Sequence, residues 1–397
     1  EKGNNMLDFL YYAPTMIYFG RNAEIDVAKA IQNENVQKVM IVYGGESVIK
    51  SGLLERVCAT LDAAGIEHVR LGGVKPNPRL SKVYEGINIA KKEGVELLLA
   101  VGGGSVIDTC KAIGAGLYYG GDVWDLYTGK SLCQGSYPVG CILTIAAAGS
   151  EMSNGSVITN DQNTLKRSFN SNFCPCKFAI MNPELTYSLP PYQTSSGCVD
   201  IIMHTLERYF SHKYMALTDS IAASIIHTIM KYAKVALEKP DDYEARANIM
   251  WAGSLSHNGI TGCGTRGDWA THMIEHELSG MFDVAHGAGL SAIWGSWARY
   301  VLDTNVNRFV MFAMDIMNIT PDACITKREY ALLGIKKMEA FFSSLNMPTS
   351  LHDLGIDATD NAIQLMAANC TNGNSHPVGS FRPLDSEDIK KILIAAK

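Results

Sequence analysis

In the first half of the chain, short apolar runs alternate with segments of helical spacing, and several of the runs end on glycine. Lys38–Tyr43 is rich in β-branched residues and stops at Gly44-Gly45. Ser47–Ala64 follows with Val48, Leu53, Leu54, Val57 and Leu61 at helical spacing, closing at Gly65. Ile66–Leu71 reads as a second strand, Gly72–Pro78 as loop, and Leu80–Glu93 as helix. Val95–Val101 is a third strand, Val106–Leu117 helix again, and Tyr137–Ile145 and Lys177–Asn182 supply further strands. Strands this apolar are buried on both faces, as in a parallel sheet covered by crossover helices. The pattern predicts a doubly wound, nucleotide-binding α/β domain over residues 1–189.

Ser188-Leu189-Pro190-Pro191-Tyr192 then punctuates the chain, and strand signals largely stop. From Thr194 onward, helical segments are separated by breaks such as Glu238-Lys239-Pro240-Asp241 and Met347-Pro348-Thr349. Residues 190–397 are therefore expected to form an all-helical domain, and a chain of 397 residues suits two cores. With 47% hydrophobic and 19% charged residues, disorder is excluded. A net charge of −6 offers no basic field for a nucleic-acid backbone. No apolar run approaches the roughly 20 residues that span a bilayer. The N-terminal Glu1-Lys2-Gly3-Asn4-Asn5 is polar, lacks a secretory pattern and is expected to be a remnant ahead of a native Met6. A cytoplasmic protein with no nucleic-acid or membrane partner is expected. The ten cysteines form no CxxC pair, and Cys174-Pro175-Cys176 has no second pair to complete a zinc ribbon. Buried, reduced thiols are expected, and sulfur is not expected to bind metal.

Gly102-Gly103-Gly104-Ser105 lies between an apolar strand and a helix that carries Asp108 and Lys111 early in its course. Consecutive glycines let the backbone approach a pyrophosphate, and a helix start favours negative charge. This is not the G-x-G-x-x-G fingerprint, and a simple tight turn would look the same. Its place at the carboxyl end of a parallel strand favours binding. A second polar turn, Thr144–Glu151, follows another strand and is a candidate for the same crevice.

The helical half carries the sharper signal. Asp200 and His204 are four apart, as are His272 and His276, and His286 follows within Ala285-His286-Gly287-Ala288-Gly289. Residues four apart share a helix face. One carboxylate with several imidazoles suits Fe2+ or Zn2+ and leaves a coordination position open. A single such pair is usually a satisfied polar contact; the combination in one domain favours a metal. Spacing does not decide whether His272 or His276 drops out of the ligand set. Glu275 is at the wrong offset for a zinc-peptidase base. The other histidines have no partner at ligand spacing, and Trp251, Trp269, Trp294 and Trp297 are expected to pack helices.

Taken together, these segments resemble the iron-dependent (group III) alcohol dehydrogenases, in particular the branch of butanol dehydrogenases and broad-specificity aldehyde reductases. The resemblance runs from Tyr11-Tyr12-Ala13-Pro14-Thr15 and Phe19-Gly20 through Pro76-Asn77-Pro78, Gly102–Asp108 and Thr144–Glu151. It continues with Asn182-Pro183, Val199-Asp200 with His204, Trp269–Ser279 and Asp283–Gly289. It implies a Rossmann-like N-terminal domain and an all-α C-terminal domain (the dehydroquinate synthase-like fold), with the active site in the cleft between them. It implies reversible hydride transfer between NAD(P)H and a short- to medium-chain aldehyde or primary alcohol, by a homodimer. By position, Asp200, His204, His272 and His286 match the metal ligands, and His276 matches a histidine beside the nicotinamide and a plausible proton relay. Gly103, Gly104, Ser105 and Asp108 match the pyrophosphate and nicotinamide region, Thr144 a cofactor-contacting threonine and Lys166 a cofactor-contacting lysine.

One segment departs from the branch. Gly44, Gly45, Ser47 and Lys50 match the turn that reads the adenosine ribose, but Glu46 stands where a third glycine is usual. Ser47 and Lys50 favour the 2′-phosphate of NADP(H) over NAD(H); the Glu46 carboxylate opposes it unless it points away. Two other readings are a dehydroquinate synthase-like lyase and a non-catalytic cofactor-binding protein. The lyase needs a basic cluster, whereas Arg208, Arg246, Arg266 and Arg299 occur singly.

Overall fold

Six parallel strands make the sheet, five of them where the apolar runs predict and the first in addition. They are β1 (Met16–Phe19), β2 (Lys38–Tyr43), β3 (Glu67–Leu71), β4 (Leu97–Gly102), β5 (Val139–Leu143) and, after an intervening hairpin, β8 (Phe178–Met181). The computed structural model describes residues 6–322 and 324–397; Glu1-Lys2-Gly3-Asn4-Asn5 lies outside them. The sheet order is β1-β8-β5-β4-β2-β3. Every residue of β4, β5 and β8 is buried, whereas the edge strands β1 and β3 are only partly buried. Burial on both faces is why the central strands read as unbroken apolar runs. Helices α1 (Val27–Gln32), α2 (Ser47–Lys50), α3 (Leu53–Ala63), α4 (Leu80–Glu93), α5 (Gly104–Tyr119) and α6 (Trp124–Tyr127) accompany the sheet. Alternate residues of the strands, such as Val39, Ile41, Leu97 and Leu99, share one core with Val57 and Leu61 of α3.

Two local departures have physical causes. The helix expected over Ser47–Ala64 is broken after Lys50, because Gly52 takes the left-handed conformation (φ 71°) and restarts the chain as α3. A hairpin of β6 (Gly155–Thr159) and β7 (Lys166–Asn170) lies outside the main sheet. Its second strand, Lys-Arg-Ser-Phe-Asn, has no apolar run to announce it.

Lys111 of α5 is buried and holds the start of that hairpin. Its Nζ donates to the carbonyls of Ser150 (2.7 Å), Ser153 (2.8 Å) and Gly155 (3.0 Å) and to Ser153 Oγ (3.2 Å).

The chain then enters a second compact unit comprising residues 6–11, Pro190–Glu238 and Gly259–Lys397. Helices α7 (Pro191–Tyr209) and α8 (Ala216–Glu238) open it. Within residues 190–397, one segment departs from the helical unit. Lys239–Asn258, which contains α9 (Tyr243–His257), belongs with Tyr12–Leu189 in the α/β unit. There Ser254 Oγ donates to Glu151 Oε1 at 2.5 Å and Trp251 meets Phe19 edge-on, so this tryptophan packs against a strand residue. The helical unit continues with α10 (Ala270–Phe282), α11 (His286–Val301), α12 (Val306–Met311), α13 (Lys327–Ser344), α14 (Asp360–Cys370) and α15 (Ser386–Ala395). Phe210, Phe309, Phe312 and Trp297 pack as a ring cluster in its core. All ten cysteines are free thiols; most are buried and Cys324 is exposed.

Lys111→Met keeps the volume but strands three buried carbonyls without donors. It should lower stability by about 3 kcal/mol, read from chemical denaturation.

Candidate functional site

Asp200, His204 and Glu207 fall at i, i+4 and i+7 on α7, a helix buried along most of its length. Helix α10 brings His272 and His276, and His286 is the first residue of α11. The glycines after His286 are there for contact. A Cβ on Gly287 would run into the Ser196 carbonyl of α7, and one on Gly289 would lie 2.8 Å from Glu275 Oε1. Backbone thus meets backbone where α11 begins, and the imidazole of His286 is delivered to α7.

One donor atom from each of Asp200, His204, His272 and His286 lies within 4.8 Å of the others. His204 Nε2 is 3.2 Å and His286 Nε2 3.7 Å from Asp200 Oδ1. The His204 and His272 rings are 4.5 Å apart between centroids, and those of His272 and His286 5.2 Å. His272 Nδ1 donates to Glu207 Oε1 (2.9 Å), and His286 Nδ1 donates to Glu275. His272 Nε2 is then left buried without a hydrogen-bond partner among the described residues. An orphaned buried nitrogen facing a carboxylate and two imidazoles fits a divalent metal. Trp269 walls the group, its ring edge-on to His204 and His272 with the Arg208 guanidinium 4.5 Å from the ring centroid. His276 forms a second group with Glu275 and His286, its ring 5.8 Å from that of His286.

The protonation states suit ligation. Burial pushes the Asp200 carboxyl up, but His204, with His286 and His272 beyond it, holds it down at about 2. Burial lowers His204 to about 4 despite Asp200 beside it. Near neutrality this leaves an ionised carboxylate and a neutral imidazole, the forms a metal takes.

In the α/β unit, the cofactor candidates gather at the carboxyl ends of neighbouring strands. The chain runs outward from β2 to β3 and from β4 to β5, so adjacent β2 and β4 form a topological switch point. Gly44 and Gly45 end β2, and Ser47 begins α2. The Glu46 carboxylate is exposed and ion-paired with Lys50. Gly103, Gly104 and Ser105 lead from β4 into α5; a Cβ on Gly103 would strike the Ile145 side chain. The Thr144 N–H donates to the Gly102 carbonyl at 3.1 Å, which sets the turn after β5 beside the glycine turn. Lys166 is buried on β7, with Nζ donating to Asn77 Oδ1 (3.0 Å) in the loop after β3. Asp108 turns inward instead: it is buried and accepts from the Val157 N–H of β6 at 2.9 Å.

The family model described as iron-containing alcohol dehydrogenase matches residues 14–183, and that of the C-terminal part of the Fe-containing alcohol dehydrogenase family matches residues 194–397. The chain belongs to the iron-containing alcohol dehydrogenase family. It is 39% identical over 390 residues to NADH-dependent butanol dehydrogenase A of Clostridium acetobutylicum, covering 98% of this chain and 99% of that protein. It is 35% identical over 358 residues to the NADPH-dependent aldehyde reductase YqhD of Escherichia coli, covering 89% and 91%. The crystal structure of NADH-dependent butanol dehydrogenase A from Thermotoga maritima superposes with a TM-score of 0.94 at 39% identity over 99% of both chains. As a member of this family the protein is an NAD(P)-dependent alcohol dehydrogenase/aldehyde reductase of the butanol dehydrogenase branch, and a lyase is not favoured.

Glu207 and Glu275 escaped the sequence reading as partners of the histidines. Glu207 could have been found, since it continues the Asp200/His204 face by a further three residues. Gly287→Ala should displace His286 as well as loosen the helix contact. A loss of about 2 kcal/mol in stability, together with substoichiometric metal after purification, is the expected result.

Proposed function

We propose that Asp200, His204, His272 and His286 hold one divalent metal, Fe2+ or Zn2+, in an enzyme that interconverts short- to medium-chain aldehydes and primary alcohols. The observation that carries this is the convergence of one ionised carboxylate and three imidazoles from three helices within 4.8 Å. When bound, such a metal supplies a Lewis acid for a substrate oxygen and the nicotinamide supplies the hydride. The chain's own residues orient and exclude. Asp200 stays ionised and His204 neutral, so neither surrenders a ligand position to a proton near pH 7. Trp269 and the buried faces of α7 and α10 bury Asp200, His204 and His272, while His286 stays partly open. His276, one turn along α10 from His272, serves in this reading as the proton relay through its imidazole.

The cofactor reading places the pyrophosphate at Gly103, Gly104 and Ser105 on the start of α5, with Thr144 alongside and Lys166 as a further cofactor contact. Asp108 acts from beneath by anchoring β6 to α5. Ser47 and Lys50 support NADP(H), while Glu46, exposed and paired with Lys50, competes weakly with a 2′-phosphate for that lysine. A carboxylate there also accepts from a ribose hydroxyl, so the balance moves to NAD(H). The free edge of β1, with Met16 and Phe19 exposed, supports a homodimer. Largely buried free thiols support a cytoplasmic setting. No helix among the described residues is long and apolar enough to cross a membrane.

Butanal-dependent oxidation of NADH, with metal analysis of anaerobically purified protein, tests the whole reading. His272→Ala and His286→Ala should each lose both bound metal and turnover; full activity in metal-free protein would overturn it. In a separate comparison, Glu46→Gly should raise kcat/KM for NADPH relative to NADH by roughly tenfold, about 1.4 kcal/mol. An unchanged ratio would remove Glu46 from cofactor choice.

A further inference from the structure

We propose that Glu207 and Glu275 are positioning carboxylates that fix His272 and His286 with Nε2 turned to the metal, and that neither coordinates the ion. This rests on the metal reading of Asp200, His204, His272 and His286.

Three donors converge on Glu207 Oε1: the Thr271 hydroxyl, the His272 backbone N–H (2.9 Å) and His272 Nδ1 (2.9 Å). The side chain is 1% exposed and sits at the first turn of α10, where a negative charge also meets free backbone N–H groups. A carboxylate accepts only, so the proton of His272 is held on Nδ1 and the lone pair on Nε2. That Nε2 is one of the buried side-chain atoms left without a hydrogen-bond partner among the described residues.

Glu275 does the same from α10 itself. One oxygen accepts from Ser279 Oγ and the other faces His286 Nδ1. Gly289 supplies the space for it, since a Cβ there would lie 2.9 Å from Glu275 Cγ.

Glu275, His276 and His286 also lie close enough together to hold an ion themselves. The two nitrogens of His286 decide between the groups. Nδ1 is in contact with Glu275, while Nε2 faces Asp200 at 3.7 Å. An ion between Glu275 and His286 would have to open the shorter contact and take the place of the Nδ1 proton. With the proton on Nδ1, Glu275 is satisfied and Nε2 joins Asp200, His204 and His272. Carboxylates behind histidine ligands also raise imidazole basicity, which strengthens metal binding.

The test uses metal-free full-length protein titrated with Co2+ against a chelator, with the visible absorption of bound Co2+ recorded in parallel. Glu207→Gln and Glu275→Gln should each bind one Co2+ with the wild-type absorption envelope and about 10- to 100-fold lower affinity. Unchanged affinity in both variants would overturn the positioning role. An altered envelope or lost stoichiometry in folded Glu275→Gln would make Glu275 a ligand and overturn the second half of the proposal. Thr271→Val, which leaves the carboxylate but removes one of its donors, should weaken binding by a smaller factor; it decides for Glu207 if Glu207→Gln fails to fold. If wild-type protein binds no Co2+, the four-ligand reading fails instead.

Discussion

Asp200 is a carboxylate taken out of water, and the helical unit is organised around keeping it charged. An isolated buried carboxylate is costly enough that it ordinarily protonates. Here His204, His286 and His272 surround it and hold its pKa near 2. Two further buried carboxylates, Glu207 and Glu275, stand behind two of those imidazoles. With Asp200 ionised and His204 neutral near pH 7, the group has the donor chemistry that the proposed divalent cation would take. The close helix contact at Gly287 serves the same end, because any side chain there would push His286 away from Asp200.

In the α/β unit the constraint is backbone access. In the proposed reading a pyrophosphate would meet main-chain N–H groups, so the turns after β2 and β4 need small residues and the turn after β5 has to keep its shape beside them. Glycine provides the first condition at residues 44, 45, 103 and 104. Lys111 provides the second. Its ammonium ties down the Ser150 and Ser153 carbonyls, and the Ser150 hydroxyl is what a Cβ on Gly104 would meet at 3.2 Å. A buried cation thus braces the Thr144–Glu151 turn against the glycine turn from below.

The central strands were legible because burial on both faces leaves a strong one-dimensional trace; Leu97–Val101 could hardly be anything else. The four-residue edge strand β1, Met-Ile-Tyr-Phe, was too short to stand out, and β7 carries mixed residues such as Lys166, Arg167 and Asn170 that leave no apolar run. The return of α9 to the α/β unit was equally hidden. Nothing in its sequence names the surface it packs on, and Ser254 against Glu151 is a contact 103 residues apart.

The metal group shows where spacing stops being informative. His272 and His276 occupy equivalent places one turn apart on α10, and no property of that helix separates them. What separates them is their company: Glu207 on α7 accepts from His272, which lies with Asp200, His204 and His286, while His276 falls with Glu275 of its own helix and His286. In the proposed reading, ligand identity is therefore a property of the packing of α7 against α10, read from the hydrogen bond behind the imidazole more than from the imidazole itself.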